Sequence, residues 1–177
     1  INELTIYGET LKNHSLAVIK STSHYEIKIN GDAVKGKIIA PRNFKTPYTI
    51  KLLKLKLNNY SSLKNQTFGA LQGLPPSNVE IDNFQLGKTK INSLKFSAIG
   101  DQSKIHFKNI FMNTDDITIS GNGSWNVMDP RTTTELTVNG GSINSILTYF
   151  NYNIDNIENE KSVITLKGSW NNHPHEF

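Results

Sequence analysis

The amino-acid sequence predicts an all-β fold with one short helix, and three observations lead to this prediction. Apolar and polar residues alternate with a period of two along most of the chain, which is typical of strands with one buried face. Glycine, asparagine, aspartate and proline separate these runs at short intervals. Only one segment has a helical period. Intervals this short favour hairpins, so we expect an antiparallel meander.

The first part of the chain contains five predicted strands. The alternation is clearest where Ile27 and Ile29 share one face and Glu26 and Lys28 share the other. Further along, the apolar positions change parity after Leu52, which predicts a β-bulge. The five strands are 3–7, 15–20, 24–31, 34–40 and 47–57.

A long connection interrupts the strand pattern at 58–77. It contains the stop Leu74-Pro75-Pro76, and no alternating run passes through it. We therefore divide the chain into a first sheet segment at 1–57, this connecting loop, and a second sheet segment at 78–177. Because the sequence begins at Ile1 without a start methionine, we expect all three to belong to one fragment of a longer protein.

The second sheet segment contains six predicted strands. Val79 and Ile81 have one parity and Phe84 and Leu86 the other, which predicts a second bulge. The motif Gly123-Ser124-Trp125-Asn126 recurs 45 residues later, beginning at Gly168, and a repeated unit predicts a sheet that extends along one axis. The strands are 78–86, 89–99, 103–112, 115–126, 131–139 and 161–171.

The short helix is predicted at about 142–152. Ser142 follows two glycines and is a suitable N-cap. The apolar residues that recur at i, i+3, i+4 and i+7 are Ile143, Ile146, Leu147 and Phe150.

The apolar face of such a meander has to be covered, and the pattern alone leaves open how. The sheet can close into a barrel, pair with another sheet as a β-sandwich, or curl into an elongated open groove of the kind called a β-taco. The same side chains line a closed core and an open groove. The candidate lining residues are Ile27, Ile29, Leu94, Phe96, Ile105, Phe107, Phe111, Ile117, Ile119, Leu136, Val138, Ile164 and Leu166.

Composition and charge exclude several classes of protein. The chain is 36% hydrophobic, and no apolar run reaches the 18–20 residues or so of a membrane-spanning helix. It has no cysteine, so disulfides and thiolate chemistry are absent. The net charge is +4, but the lysines are spread at strand spacing and only Arg42 and Arg131 are arginines. This distribution predicts a solvated sheet face and no binding to nucleic acid.

No arrangement of residues points to catalysis or to a metal. The phosphate-binding loop, the HExxH zinc motif and the GxSxG nucleophile motif are all missing. His173 and His175 would share a strand face, but the sequence offers no third ligand. We therefore predict that the protein is not an enzyme and holds no cofactor or metal.

The order of several short segments resembles a known family. The segments that carry the resemblance are Leu4-Thr5-Ile6-Tyr7-Gly8, Tyr25 to Gly31, Val34 to Pro41, Ile50 to Leu57, Val79 to Gly87, Ile91 to Leu94, Ile119 to Trp125, Thr133 to Leu136 and Leu166 to Trp170. Their succession is similar to the C-terminal part of YhdP-type proteins in the AsmA-like superfamily, which is related to TamB. The similarity covers nearly the whole chain.

The resemblance implies a function and a location. It implies a long periplasmic protein of the Gram-negative envelope, anchored in the inner membrane by a segment outside this fragment. The implied function is non-enzymatic phospholipid transport between the inner and outer membranes, with acyl chains lying in the apolar groove. One alternative is a periplasmic structural or assembly factor for outer-membrane proteins or envelope integrity. An adhesion or glycan-binding sandwich is a third possibility, but Trp125 and Trp170 fall on the apolar parity.

Overall fold

The computed structural model describes residues 3–6, 9–57, 75–101, 103–126, 128–140, 142 and 162–171. These residues form twelve strands and no helix, so none of them lies in a helix able to cross a membrane. The strands are β1 (Glu3–Ile6), β2 (Glu9–Lys12), β3 (Ser15–Lys20), β4 (His24–Asn30), β5 (Val34–Pro41), β6 (Tyr48–Leu57), β7 (Ser77–Leu86), β8 (Thr89–Gly100), β9 (Lys104–Asn113), β10 (Ile117–Asn126), β11 (Arg131–Gly140) and β12 (Ser162–Asn171).

Ten of the strands form one continuous open sheet. Their spatial order is the sequence order from β3 to β12, while β1 and β2 form a separate two-stranded sheet. Within the described ranges β3 and β12 each pair on one side only, so the large sheet does not close on itself. The predicted all-β fold and its open form are confirmed. A second large sheet, which a sandwich needs, does not occur among the described residues.

One pair of neighbouring strands departs from the predicted antiparallel meander. β6 and β7 run parallel, with Tyr48 opposite Ser77 and Leu57 opposite Leu86. Parallel neighbours need a connection of a dozen or more residues, and nineteen residues separate Leu57 from Ser77. The antiparallel prediction is therefore wrong at this junction. The parallel pair also joins the two predicted sheet segments edge to edge.

The other strands lie within a few residues of their predicted positions, with one addition. β2 was not predicted, because Leu11 is the only apolar residue among its four and a single apolar residue cannot show an alternation. The predicted helix at 142–152 lies outside the described residues apart from Ser142. The same is true of most of the 58–77 connection, of which only 75–77 are described.

Polar side chains close several hairpins at the predicted turns. Asp101 Oδ1 accepts the backbone N–H of Ser103 at 2.8 Å and of Lys104 at 2.7 Å. Between β9 and β10, the Thr114 hydroxyl oxygen accepts the N–H of Ile117 at 3.1 Å. Local bonds of this kind satisfy backbone donors that lie beyond the strand ladder.

The Asp101 turn should leave a measurable pH signature. The N–H groups of Ser103 and Lys104 stabilise the carboxylate and lower its pKa to about 2. Because the folded-state pKa lies below the unfolded value of about 4, the contribution is complete above pH 4 and is lost as the pH falls towards 2.

In Asp101→Asn the amide oxygen can still accept the two backbone hydrogen bonds, but the side chain cannot titrate. We expect the free energy of unfolding of wild type to fall relative to that of this variant between pH 4 and 2. Urea unfolding at several pH values measures it, and carboxyl NMR gives the pKa directly. A carboxyl titrating near pH 4 would contradict this assignment.

Candidate functional site

A row of directly paired residues runs across all ten strands of the large sheet. Residues that face each other in neighbouring strands lie on the same side of the sheet. Every member has an apolar side chain except Gly36, and we call the set the central row. It consists of Leu16, Ile29, Gly36, Leu52, Ile81, Leu94, Met112, Ile119, Val138 and Ile164.

A second row follows the central row on the same face, and we call it the outer row. It is directly paired from β3 to β8 and again from β9 to β12, and a bulge in β9 lies between Phe96 and Ile110. With strands about 4.8 Å apart, each row is roughly 43 Å long. The outer row consists of Val18, Ile27, Ile38, Ile50, Val79, Phe96, Ile110, Gly121, Leu136 and Leu166.

The two rows differ in their exposure to solvent. Five members of the central row are buried, and Val138 is completely inaccessible. The outer row is half-buried along most of its length, and its ends are exposed, with Val18 at 65% and Leu166 at 37%. The central row therefore stabilises the sheet, whereas the outer row presents apolar surface.

Local irregularities in the strands keep successive apolar side chains on this face of the sheet. In β6 the register shifts between the pair Lys35–Lys54 and the pair Gly36–Leu52, so that β6 contains one extra residue. In β7 the backbone at Asn83 is left-handed, with φ +52°, and its side-chain amide donates to the carbonyl of Leu53 at 3.2 Å. The bulge predicted in β6 is thus confirmed, whereas in β7 the left-handed backbone at Asn83 accounts for the change of parity without an extra residue against β8.

A third bulge, in β9, was not predicted. Lys95 lies opposite Phe111 and Ser97 opposite Lys108, so β9 has an extra residue against β8, and it has one against β10 as well. Asn109 is that residue, with φ +53°, and its N–H donates to Asn122 Oδ1 at 3.1 Å. Asparagine tolerates this conformation better than most residues do.

Two glycines allow a close backbone approach near these bulges. Gly36 and Gly121 have φ values of +154° and +153°. A Cβ atom would collide with the carbonyl oxygen of Lys51 at the first position and with that of Glu135 at the second. Larger residues are therefore excluded at both places.

Twelve of the thirteen predicted lining residues lie on the apolar face. In the central row are Ile29, Leu94, Ile119, Val138 and Ile164. In the outer row are Ile27, Phe96, Leu136 and Leu166. Elsewhere on the same face are Ile105, Phe107 and Ile117. Whether these residues contact lipid stays a prediction.

The prediction that Phe111 lines the apolar face is wrong. It shares the parity of Ile105 and Phe107, but the bulge at Asn109 reverses the alternation beyond that point. Phe111 consequently lies on the opposite face, paired with Lys95, and is 39% exposed. The sequence analysis missed Met112 and Ile110, which occupy the apolar face instead. Ile110 and Met112 lie at even-numbered positions and Phe107 at an odd-numbered one, and this change of parity was the signal in the sequence.

The repeated motif has a structural counterpart at the end of the sheet. Trp125 and Trp170 are both paired with Thr132, and Gly123 and Gly168 are both paired with Thr134. The two copies of the motif thus lie at equivalent heights on either side of β11. The sheet extends by a repeated unit here, as the repeat predicts.

Charged groups lie on the face opposite the two rows. Glu80 makes ion pairs with Lys95 and with Lys51, the latter at 3.2 Å. The hydrogen bond from Lys95 lowers the pKa of Glu80 most, followed by that from Lys51, and Glu80 in turn raises the pKa of Lys95. Glu80 and Lys95 therefore remain ionised, and all three side chains are partly exposed to solvent.

The described residues contain no group of three side chains placed to hold a metal ion. His14 is buried, and its Nε2 atom accepts the N–H of Val34 at 3.2 Å, which is a structural role. His173 and His175 lie outside the described residues. The main feature that this site offers chemically is therefore apolar contact.

The bulge at Asn109 can be tested by deletion. Without Asn109 the apolar residues of β9 alternate regularly, so both ends of the strand keep their faces. We expect the free energy of unfolding to fall by less than about 2 kcal/mol, chiefly through the lost hydrogen bond and the altered twist. Urea unfolding followed by circular dichroism measures the change.

Deletion of Ser120 is the matched control. β10 has no extra residue against β11, so this deletion turns one half of the strand over. We expect a loss above about 3 kcal/mol, or no cooperative unfolding. Similar losses in the free energy of unfolding for the two deletions would show that Asn109 is not the extra residue of β9.

Comparison with known proteins gives one match. No curated protein and no solved structure matches the chain. A family model described as YhdP protein matches residues 1–177, which is the full length of this sequence. The match agrees with the resemblance in the order of the short segments and with the open β-sheet. The chain belongs to the YhdP family.

Proposed function

We propose that this chain is a lipid-conducting section of an envelope protein and that phospholipid acyl chains lie along its apolar face. The observation that supports this most is the unbroken central row across ten strands, accompanied on the same face by the outer row, whose direct pairing is interrupted only at the β9 bulge. Membership of the YhdP family supports it independently, because the AsmA-like superfamily is associated with lipid transport.

The physics of the surface suits transport better than tight binding. Burying one methylene group stabilises an acyl chain by about 0.8 kcal/mol. Eight of the ten members of the outer row are aliphatic side chains of similar size, the exceptions being Phe96 and Gly121, so the contact free energy changes little between most neighbouring strands. Contacts of this kind are non-directional, and an acyl chain can therefore slide along the row without crossing a large barrier.

The proposed process requires no covalent chemistry. A phospholipid moves between the inner and outer membranes with its acyl chains on the apolar face and its head group at the open margin, in contact with water. The protein would act in the periplasm, held at the inner membrane by a segment outside this sequence. No residue is assigned a catalytic role.

A pair of variants on opposite faces tests this function. Phe96 lies in the outer row, and its ring packs edge-to-face on Phe107 with centroids 6.0 Å apart. Phe96→Glu places a charge in the proposed path, whereas Phe111→Glu places the same charge on the other face. We expect capture of a photo-crosslinkable phospholipid to fall at least tenfold in the first variant and to stay near wild type in the second, because a carboxylate is poorly solvated among acyl chains.

Circular dichroism of both variants separates loss of capture from loss of fold. Equal capture by a folded Phe96→Glu variant and wild type would contradict the proposal at this position. Native mass spectrometry of the wild-type chain provides an independent measurement. Absence of bound lipid together with stable co-purification of an outer-membrane protein would instead favour the structural or assembly role.

A further inference from the structure

The polar face of the sheet is divided into two chemically different halves. On β4, β5 and β6 it carries five exposed lysines, Lys28, Lys35, Lys37, Lys51 and Lys54, which we call the lysine face. Across β10, β11 and β12 the same row continues as Ser120, Thr137 and Thr165, which are neutral. The positive charge is therefore concentrated on one half of the face.

Within the lysine face like charges oppose one another directly. Lys37 lies between Lys28 and Lys51, and Lys35 lies opposite Lys54. Adjacent strands are about 4.8 Å apart, and like charges placed in this way destabilise a sheet. A sequence that keeps five lysines in this arrangement retains an unfavourable interaction, which an external anion would relieve.

Few acidic side chains are available to neutralise these lysines. Lys28 lies 3.9 Å from Glu26, and Lys51 pairs with Glu80. Lys35, Lys37 and Lys54 have no ion pair with any described residue. Together, the five lysines of the lysine face project from two adjacent rows of β4, β5 and β6 and form a cationic array that is open to solvent.

The charge and the surroundings of the array indicate its partner. Lysine is a point charge that contacts phosphate from many directions, and several lysines side by side suit a surface that presents many phosphates. The adjacent row on the same face contains Ile19, which is 45% exposed, and the half-buried Ile39. Lysines beside exposed aliphatic groups are the combination that binds at a lipid–water interface. We propose that the lysine face docks on the surface of an anionic phospholipid bilayer.

This contact does not depend on the proposed function. The lysines and the apolar rows lie on opposite faces, so docking and capture of acyl chains can be lost separately. Docking should weaken as salt is added, because exposed charges are screened over about 10 Å at 0.1 M ionic strength.

Flotation with phosphatidylglycerol–phosphatidylcholine vesicles tests the proposal. The variant K35Q/K37Q/K54Q removes the three unpaired lysines. Its matched control, K104Q/K108Q/K167Q, removes the same charge from β9 and β12. At about fivefold per lysine near an anionic surface, we expect the first variant to bind roughly a hundredfold more weakly and the control to remain within about fivefold of wild type.

Three outcomes would overturn the proposal. They are equal losses for the two triple variants, equal binding of wild type to pure phosphatidylcholine vesicles, and binding that does not weaken between 0.05 and about 0.5 M salt. Phe96→Glu should keep vesicle binding, and K35Q/K37Q/K54Q should keep crosslinking to phospholipid. This cross-comparison distinguishes failure of docking from failure of the lipid path.

Discussion

The register of strand pairing is the constraint on which the rest of this structure depends. Ten strands place one residue each in the central row, and a slip of one residue in any strand would move its apolar side chains to the other face. Because the apolar path and the lysine face are both defined by that register, the same pairing produces both surfaces. The bulges in β6 and β9 and the left-handed backbone at Asn83 in β7 preserve the register where the sequence itself departs from alternation.

Much of the fold could be predicted from the sequence because alternation is a local signal. The strands, most of the turns and twelve of the thirteen apolar-face residues follow from it. Phe111 was misplaced because it keeps the parity of Ile105 and Phe107, whereas its face depends on the left-handed backbone of Asn109, which lies between them. The continuity of the rows could not be predicted either, since it depends on which residues of distant segments lie opposite one another.

The two faces of the sheet obey different physical rules. On the apolar face, contacts are short-ranged and interchangeable, so neighbouring positions along a row are nearly equivalent. On the polar face, charges act over distance, and the position of each acid matters. Glu80 lies between Lys51 and Lys95 and ends the run of like charges, and beyond β9 the same row contains the hydroxyl groups of Ser120, Thr137 and Thr165. A protein of the YhdP family can therefore keep separate chemistries on two sides of a single layer.

The parallel pairing of β6 with β7 has a consequence for the way in which this chain folds. Between β3 and β6, and again between β7 and β11, each connection is six residues or shorter, so these two hairpin arrays can form from local contacts. The junction between them must close a gap of nineteen residues, at a greater cost in chain entropy. Contacts of low sequence separation generally form faster. The central row therefore depends on two closures of long range, the parallel meeting of β6 with β7 and the pairing of β12 with β11 across the 21 residues from 141 to 161.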